Sequence, residues 1–473
     1  MATSSQSSNA VNYSSSDNSK HRRPIAVDLF AGAGGMTLGF EQAGFDVLAA
    51  VELDPIHASV HEYNFPFWTT ICRSVSDTSA AEIRQKSAIG DRDIDVVFGG
   101  PPCQGFSLMG KRDVSDDRNS LVFNFLRLVL DLKPKYFVME NVRGMTIGKQ
   151  RKVLERVMEE FQRHGYSVPA SPQVLNAANY GVPQNRQRLF LLGCRQGLNL
   201  PQYPQAKTNF VRDAAHPTSS SKQASDREAS TSPTSRRPTR LNSDCLLPNT
   251  PTVAEAISDL PEANHYPELK IRDWTVASYG KPSQYAQQLR IPALVAHNYA
   301  YSREYQVELL TCSRRTNHTD QTIARFNQTT PGKSDRISHF YRLDLKGLCT
   351  TLRAGTASNR GAFTSPRPIH PITPRCITVR EAARLHSYPD WFMFHATKWH
   401  GFRQIGNSVP PLLAQAIAQQ IIEVLEIAPV KPLQQFNLIQ TELLQFKMTQ
   451  AEKYYHLATR AIPRRNTLKS LSS

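Results

Sequence analysis

One cysteine of this chain sits where it could act as a nucleophile. Cys103 ends the run Gly99-Gly100-Pro101-Pro102-Cys103 and is followed by Gln104-Gly105-Phe106-Ser107. An isolated cysteine is usually a small buried hydrophobe. This one follows Asp95–Phe98, a short apolar run that reads as a buried strand. It therefore falls at the carboxyl edge of a sheet, where open α/β folds bind their ligands. The two prolines hold the approach extended and fix where the sulfur points. A zinc deaminase also uses a Pro-Cys pair, but needs Pro-Cys-x-x-Cys and an upstream His-x-Glu. Here Phe106 stands where the second cysteine would be, and His61-Glu62 lacks the spacing.

Other groups fall beside it. Glu140 follows Tyr136–Met139, a second short apolar run, and so shares the sheet edge with Cys103. Its plain structural role would be to cap a helix. Arg186 and Arg188 alternate with Gln187 on an extended segment and project to one face. They abut the apolar run Leu189–Cys194, which speaks against simple solvated surface arginines. A third feature is Asp28-Leu29-Phe30-Ala31-Gly32-Ala33-Gly34-Gly35 at the first strand-to-helix junction. Glycines there allow a tight turn and close approach of a ligand, and free amides favour an anionic group. Glu52 ends the next strand, where doubly wound folds place a carboxylate on ribose hydroxyls. The turn suits a nicotinamide, a flavin or S-adenosylmethionine. Its glycines do not follow G-x-G-x-x-G, which shifts weight away from a nicotinamide.

The elements that must position these groups alternate. Ile25–Phe30, Val47–Val51, Asp95–Phe98, Tyr136–Met139 and Leu189–Cys194 read as strands. Met36–Ala43, the stretch from Leu121 to Leu132, and Lys149–His164 read as helices. Repeated β-α units predict an α/β fold with a doubly wound, mostly parallel sheet. At 473 residues the chain is too long for one core, so a smaller second domain is expected. Residues 1–23 read as a disordered tail and 24–195 as the alternating α/β part. A polar insertion lies near 205–249, about 250–370 read as the smaller second domain, and 428–473 as a C-terminal tail. Val379–Leu385 and Pro410–Ile427 read as helices.

Composition narrows the partners. Lys and Arg total 56 against 40 Asp and Glu, a formal charge of +16 that suits a polyanion. None of the seven cysteines lies in a C-x-x-C pair, which argues against a disulfide framework or a zinc ribbon and fits the cytoplasm. The Ser-rich start lacks the apolar core of a signal peptide, and no apolar run approaches membrane-spanning length.

Taken in order, these segments resemble the DNA (cytosine-5) methyltransferases of bacterial restriction-modification systems. The resemblance rests on DLFAGAGGMTLGF from Asp28, GGPPCQGFS from Gly99, DRNSLVFNFLRLV from Asp117 and MENVRG from Met139. It continues through NYGVPQNRQRLFLLG from Asn179, TVREAARLHSYPDWF from Thr378 and QIGNSVPPLLAQAIA from Gln404. It implies S-adenosylmethionine as methyl donor, no metal, and double-stranded DNA as substrate. Phe30 would pack on the adenine, Gly32, Gly34 and Gly35 would line the methionine end, and Glu52 would hold the ribose. Asn407 and Ser408 would return to close the pocket, so the resemblance implies a catalytic, cofactor-binding domain built from both ends of the chain, 24–195 plus 375–427, and a target-recognition domain at 196–374. The family's acidic contact to the adenine amine has Ser74 at its position, or Asp77 with a shifted register.

The resemblance gives the chemistry. Carbon 5 of cytosine is a poor nucleophile, and a thiolate added to carbon 6 makes the ring enamine-like. Cys103 would be that thiolate. Glu140 would donate a proton or hydrogen bond as charge moves onto ring nitrogen 3. Arg188 would touch the cytosine and Arg186 would steady the site. Gly105–Asn119, with Gly110, Lys111 and Arg112, reads as a loop closing over a flipped base, where Ser107 meets a nearby phosphate. A monomer is implied, and a cognate restriction endonuclease is a candidate partner. Transfer RNA as substrate, a DNA-binding repressor and a nicotinamide oxidoreductase are the competing readings.

Overall fold

The computed structural model describes residues 20–102, 121–210, 247–292, 295–355 and 367–457. Cys103, the Gly105–Asn119 segment and most of the polar insertion lie outside the described residues. From its amino end the chain forms β1 (Ile25–Leu29), α1 (Gly35–Ala43), β2 (Asp46–Glu52), α2 (Pro55–Asn64), β3 (Thr69–Cys72), α3 (Ala80–Lys86) and β4 (Val96–Gly99). It continues with α4 (Leu121–Leu132), β5 (Tyr136–Val142), α5 (Lys149–Arg163), β6 (Tyr166–Ser167), β7 (Gln173–Asn176), β8 (Gln184–Asn185) and β9 (Gln187–Arg195).

Eight of these strands form one mixed sheet in the order β3-β2-β1-β4-β5-β9-β6, with β7 also paired to β9. The first five are mutually parallel, and β9 runs antiparallel to β5. β1 lies between β2 and β4, so strand order reverses at its carboxyl end and opens a crevice there. Leu29 is in register with Gly99, and Gly99 with Met139. The ends of β1, β4 and β5 are therefore neighbours. The central strands β1, β2 and β4 are buried almost throughout, as a sheet covered on both faces requires.

The sequence reading placed Asp95 in a strand, but β4 starts one residue later. Asp95 instead accepts hydrogen bonds from Arg22 (2.7 Å), the Ile25 amide (2.8 Å) and Lys135 (2.9 Å). It pins the start of β1 beside β4.

The second half of the chain holds α6 (Val253–Ile257), β10 (Thr275–Val276), α7 (Gln284–Arg290), β11 (Ser302–Glu304), β12 (Leu309–Leu310), α8 (Asp320–Gln328) and β13 (Cys349–Thr350). The chain continues with α9 (Val379–Arg384), α10 (Lys398–Asn407) and α11 (Pro411–Leu425). α11 lies against α1 so closely that a Cβ on Gly39 would stand 2.4 Å from the Ala414 Cβ. α9 carries buried arginines that hold the middle of the chain: Arg384 pairs with Asp259 (3.0 Å) and Asp390 (2.5 Å). Just before α9, Arg375 pairs with Glu262 and Glu381, both at 2.7 Å.

The segment expected as a C-terminal tail is folded where it is described. It forms β14 (Gln435–Asn437) and α12 (Met448–Tyr454), and β14 pairs with β11 in parallel. Leu443 and Leu444 are buried, which a solvated tail would not allow.

Beneath the first turn runs a buried polar chain. Thr37 donates to Asp28 (2.6 Å), so its oxygen accepts from the His61 Nε2–H (3.0 Å), and His61 Nδ1 accepts from Thr70 (3.0 Å). Burial pushes the Asp28 carboxyl well above its usual range and lowers His61 to about 3. An unfolded histidine takes up a proton near pH 6.5, whereas this one does not. Its neutral burial thus stabilises fully above pH 6.5 and is lost as pH falls toward 3. The protonation of His61 on unfolding adds up to about 1.4 kcal/mol per pH unit to the acid slope of stability. We expect His61→Gln to lower stability at pH 7.5 but to make its decline between pH 6.5 and 4.5 shallower, as measured by urea unfolding. Parallel curves for the two proteins would contradict this.

Candidate active site

At the end of β1 the chain turns through Phe30, whose φ is 67°, and Gly32 and Gly34, at 58° and 101°. The Phe30 and Ala31 amides both donate to the Val51 carbonyl, at 3.0 and 3.1 Å, tying the turn to β2. Gly34 and Gly35 are fixed by crowding. A Cβ would stand 2.3 Å from the Phe65 ring at Gly34 and 2.5 Å from the Val409 carbonyl at Gly35. A side chain at either of these two positions would force its neighbours to shift.

Glu52 ends β2 beside it. One carboxylate oxygen accepts from the Gly32 amide and the other from the Asp54 amide, each at 2.8 Å. Burial raises its carboxyl, while His57 and those amides hold it down. The carboxylate is oriented and keeps lone pairs for hydroxyl donors. Phe30 is partly exposed and Leu53 exposed at this edge. Apolar side chains flanking a fixed carboxylate suit a nucleoside, with its flat base and vicinal diol, so the residues fit S-adenosylmethionine. Asn407, at the end of α10, is exposed, and Ser408 donates to the Ile405 carbonyl (2.9 Å). The Gly35–Val409 approach brings both beside the glycine turn. Ser74 is half-buried and caps its own turn through Ser76 N (3.2 Å), while Asp77 is exposed.

The second cluster lies at the ends of β4, β5 and β9. Glu140 is paired with Arg188, Oε1 to Nε at 2.9 Å, and both side chains are about nine-tenths buried. Glu140 also packs on Gly100: a Cβ there would stand 2.7 Å from its Oε2. Burial raises the Glu140 carboxyl, and Arg188 and Arg186 oppose that. Asn141 donates to the Pro101 carbonyl (2.9 Å), holding the backbone two residues before Cys103.

Arg186 does not share the Glu140 carboxylate. It is fully buried and donates to the carbonyls of Leu352 (2.8 Å), Gly406 (2.8 Å) and Ser408 (2.7 Å). It ties the segment leading into β9 to Leu352 and to the Asn407–Ser408 loop. Gln184 does the same from β8: its Oε1 accepts from Leu352 N (3.1 Å) and its Nε2 donates to the Leu385 carbonyl (3.2 Å). Sequence reasoning passed over Gln184 and Asn141. Each neighbours a residue it did single out, and a polar residue inside an otherwise buried run was the available signal.

A mostly parallel sheet with a glycine turn and a fixed carboxylate at its switch point suits an enzyme that binds a nucleoside-containing cofactor. The sequence model for "C-5 cytosine-specific DNA methylase" matches residues 25–423. The chain is 51% identical to the Type II methyltransferase M.XorII of Xanthomonas oryzae pv. oryzae, covering 94% of this chain and 95% of that protein. It is 32% identical to the Type II methyltransferase M.DdeI of Desulfomicrobium norvegicum, over 84% of this chain and 88% of the other. Among solved structures it resembles a prophage-encoded DNA modification methyltransferase of E. coli. There the TM-score is 0.61 at 30% identity, over 85% of this chain and 99% of the other. The chain belongs to the C-5 cytosine-specific DNA methylases and is a DNA (cytosine-5-)-methyltransferase. No helix among the described residues is long and apolar enough to cross a membrane.

A lysine cannot span the three carbonyls that the planar Arg186 guanidinium reaches. We expect Arg186→Lys to cost about 2–4 kcal/mol in urea unfolding, since buried carbonyls lose their donors. A loss below about 0.5 kcal/mol, the range of ordinary surface substitutions, would show that Arg186 does not hold these elements together.

Proposed function

We propose that Cys103 is the nucleophile of this methyltransferase, that Glu140 is its acid and that Arg188 binds the target ring. The observation that carries the proposal is the Glu140–Arg188 pair packed on Gly100, with Asn141 holding Pro101, on the backbone that leads directly into Cys103. The duplex stacks carbon 6 of cytosine out of reach, so the base is flipped into the crevice. The thiolate adds to carbon 6, and charge moves toward ring nitrogen 3 and the carbonyl. Glu140, biased toward its protonated form by burial, donates at nitrogen 3. Arg188, already turned to this site by Glu140, donates to the carbonyl oxygen.

Phe30, the glycine turn, Glu52, Asn407 and Ser408 hold S-adenosylmethionine, which supplies an electrophilic methyl group on its sulfonium. Once carbon 5 is methylated, its proton passes to solvent, the thiolate is expelled from carbon 6, and nitrogen 3 returns its proton to Glu140, which restores the neutral aromatic ring. Arg186 acts as a positioning residue. The named relatives are Type II methyltransferases, which supports a place beside a restriction endonuclease of the same recognition sequence. We take the enzyme to act as a cytoplasmic monomer, since one flipped base needs one crevice.

With tritiated S-adenosylmethionine and genomic duplex DNA, Cys103→Ala should transfer no methyl above background. Glu140→Gln should slow turnover about 10²- to 10⁴-fold, the usual weight of a general acid, with duplex binding retained. Full transfer by Cys103→Ala would overturn the assignment.

A further inference from the structure

The family match ends at residue 423, yet the chain beyond it is packed on the outside of the cofactor site. Leu443 and Leu444, which are 1% and 5% exposed, share a cluster with Ala33 of the glycine turn and with Val60 and Tyr63 of α2. α2 is the helix that follows Glu52. Tyr454 and Tyr455 each donate to one oxygen of Glu62 on that helix, at 2.6 and 2.7 Å. The Leu444 carbonyl accepts from the Ala396 amide (2.9 Å). The Phe446 carbonyl is bonded to His395 Nε2 (3.0 Å), whose Nδ1 meets Thr397, the residue capping α10 (3.0 Å). α10 ends at Asn407. The segment thus grips three walls of the pocket at once: the glycine turn, the helix after Glu52 and the helix before Ser408.

We infer that residues 435–455 are a strap that positions these walls, so that loosening it weakens S-adenosylmethionine binding while DNA binding is kept. The inference rests on the reading of the Gly32–Glu52 region as the cofactor site. The strap touches neither β5 nor the Glu140 cluster in any contact described above. Its effect therefore falls on one substrate.

Isothermal titration of the full-length apo protein with S-adenosylhomocysteine tests this without any turnover. Leu444→Ala thins the apolar cluster that includes Ala33, Val60 and Tyr63. The double variant Tyr454→Phe, Tyr455→Phe removes only the two bonds to Glu62, at a partly exposed site where the fold should persist. Each should raise the Kd for S-adenosylhomocysteine about three- to thirtyfold, the range seen when a positioning residue is loosened. Anisotropy of a labelled duplex should change less than twofold, and the tyrosine variant's urea midpoint should hold. A Kd within twofold of wild type in the tyrosine variant overturns the strap, as does a parallel loss of duplex binding. Glu52→Ala separates the two readings. If it leaves the Kd unchanged, the cofactor site itself is misplaced. If it weakens binding and the strap variants do not, only the strap is wrong.

Discussion

The site depends on how closely three strand ends approach one another. A Cβ on Gly99 would stand 2.1 Å from the Leu29 carbonyl, and one on Gly100 would stand 2.7 Å from a Glu140 oxygen. Two consecutive glycines let β4 lie between β1 and β5 without pushing either away. Because β1 leads into the glycine turn and β5 carries Glu140 near its carboxyl end, these two approaches set the glycine turn and the Glu140–Arg188 pair next to each other. A methyl donor and a ring held by separate walls could not otherwise meet.

Electrostatics follow from that closeness. Glu140 is buried by the approach, and burial favours its neutral form. Arg188 comes from β9, the strand that runs antiparallel to β5, with Val142 opposite Arg188. A parallel strand there would have presented its other end to this edge. The reversed strand therefore brings an arginine to a carboxylate that a purely parallel sheet would leave alone. Arg186, two residues earlier, donates to the backbone carbonyls of Leu352, Gly406 and Ser408. The same arm thus carries one arginine toward Glu140 and one into the frame.

Much of this was legible in the residues. β1, β2 and β5 are short apolar runs, and α1 and α4 have the 3.6-residue pattern, so the layered α/β architecture could be read directly. β3 could not, because Thr69-Thr70 at the sheet edge gives no apolar run. The direction of β9 was equally silent, since a buried run reads the same either way. Arg380 and Arg384 look like the polar face of a helix, but both are buried, and Arg384 pairs with the distant Asp259 as well as with the nearby Asp390, which pattern alone does not show. The C-terminal segment misled for a related reason. Its few leucines are too sparse to signal a core, yet they complete one supplied by α2 and the glycine turn. Glu140 and Arg188 were visible as residues, while their 2.9 Å pairing was not.

The central claim is that the crevice beside Glu140 and Arg188 delivers a cytosine to Cys103 for covalent attack. A duplex carrying 5-fluorocytosine at the methylated position tests it most directly, because fluorine at carbon 5 cannot leave as a proton does and the adduct is trapped. In the presence of S-adenosylmethionine, mass spectrometry of the digested complex should find the nucleotide attached to the peptide that contains Cys103. No adduct, or an adduct on another cysteine, would contradict the claim.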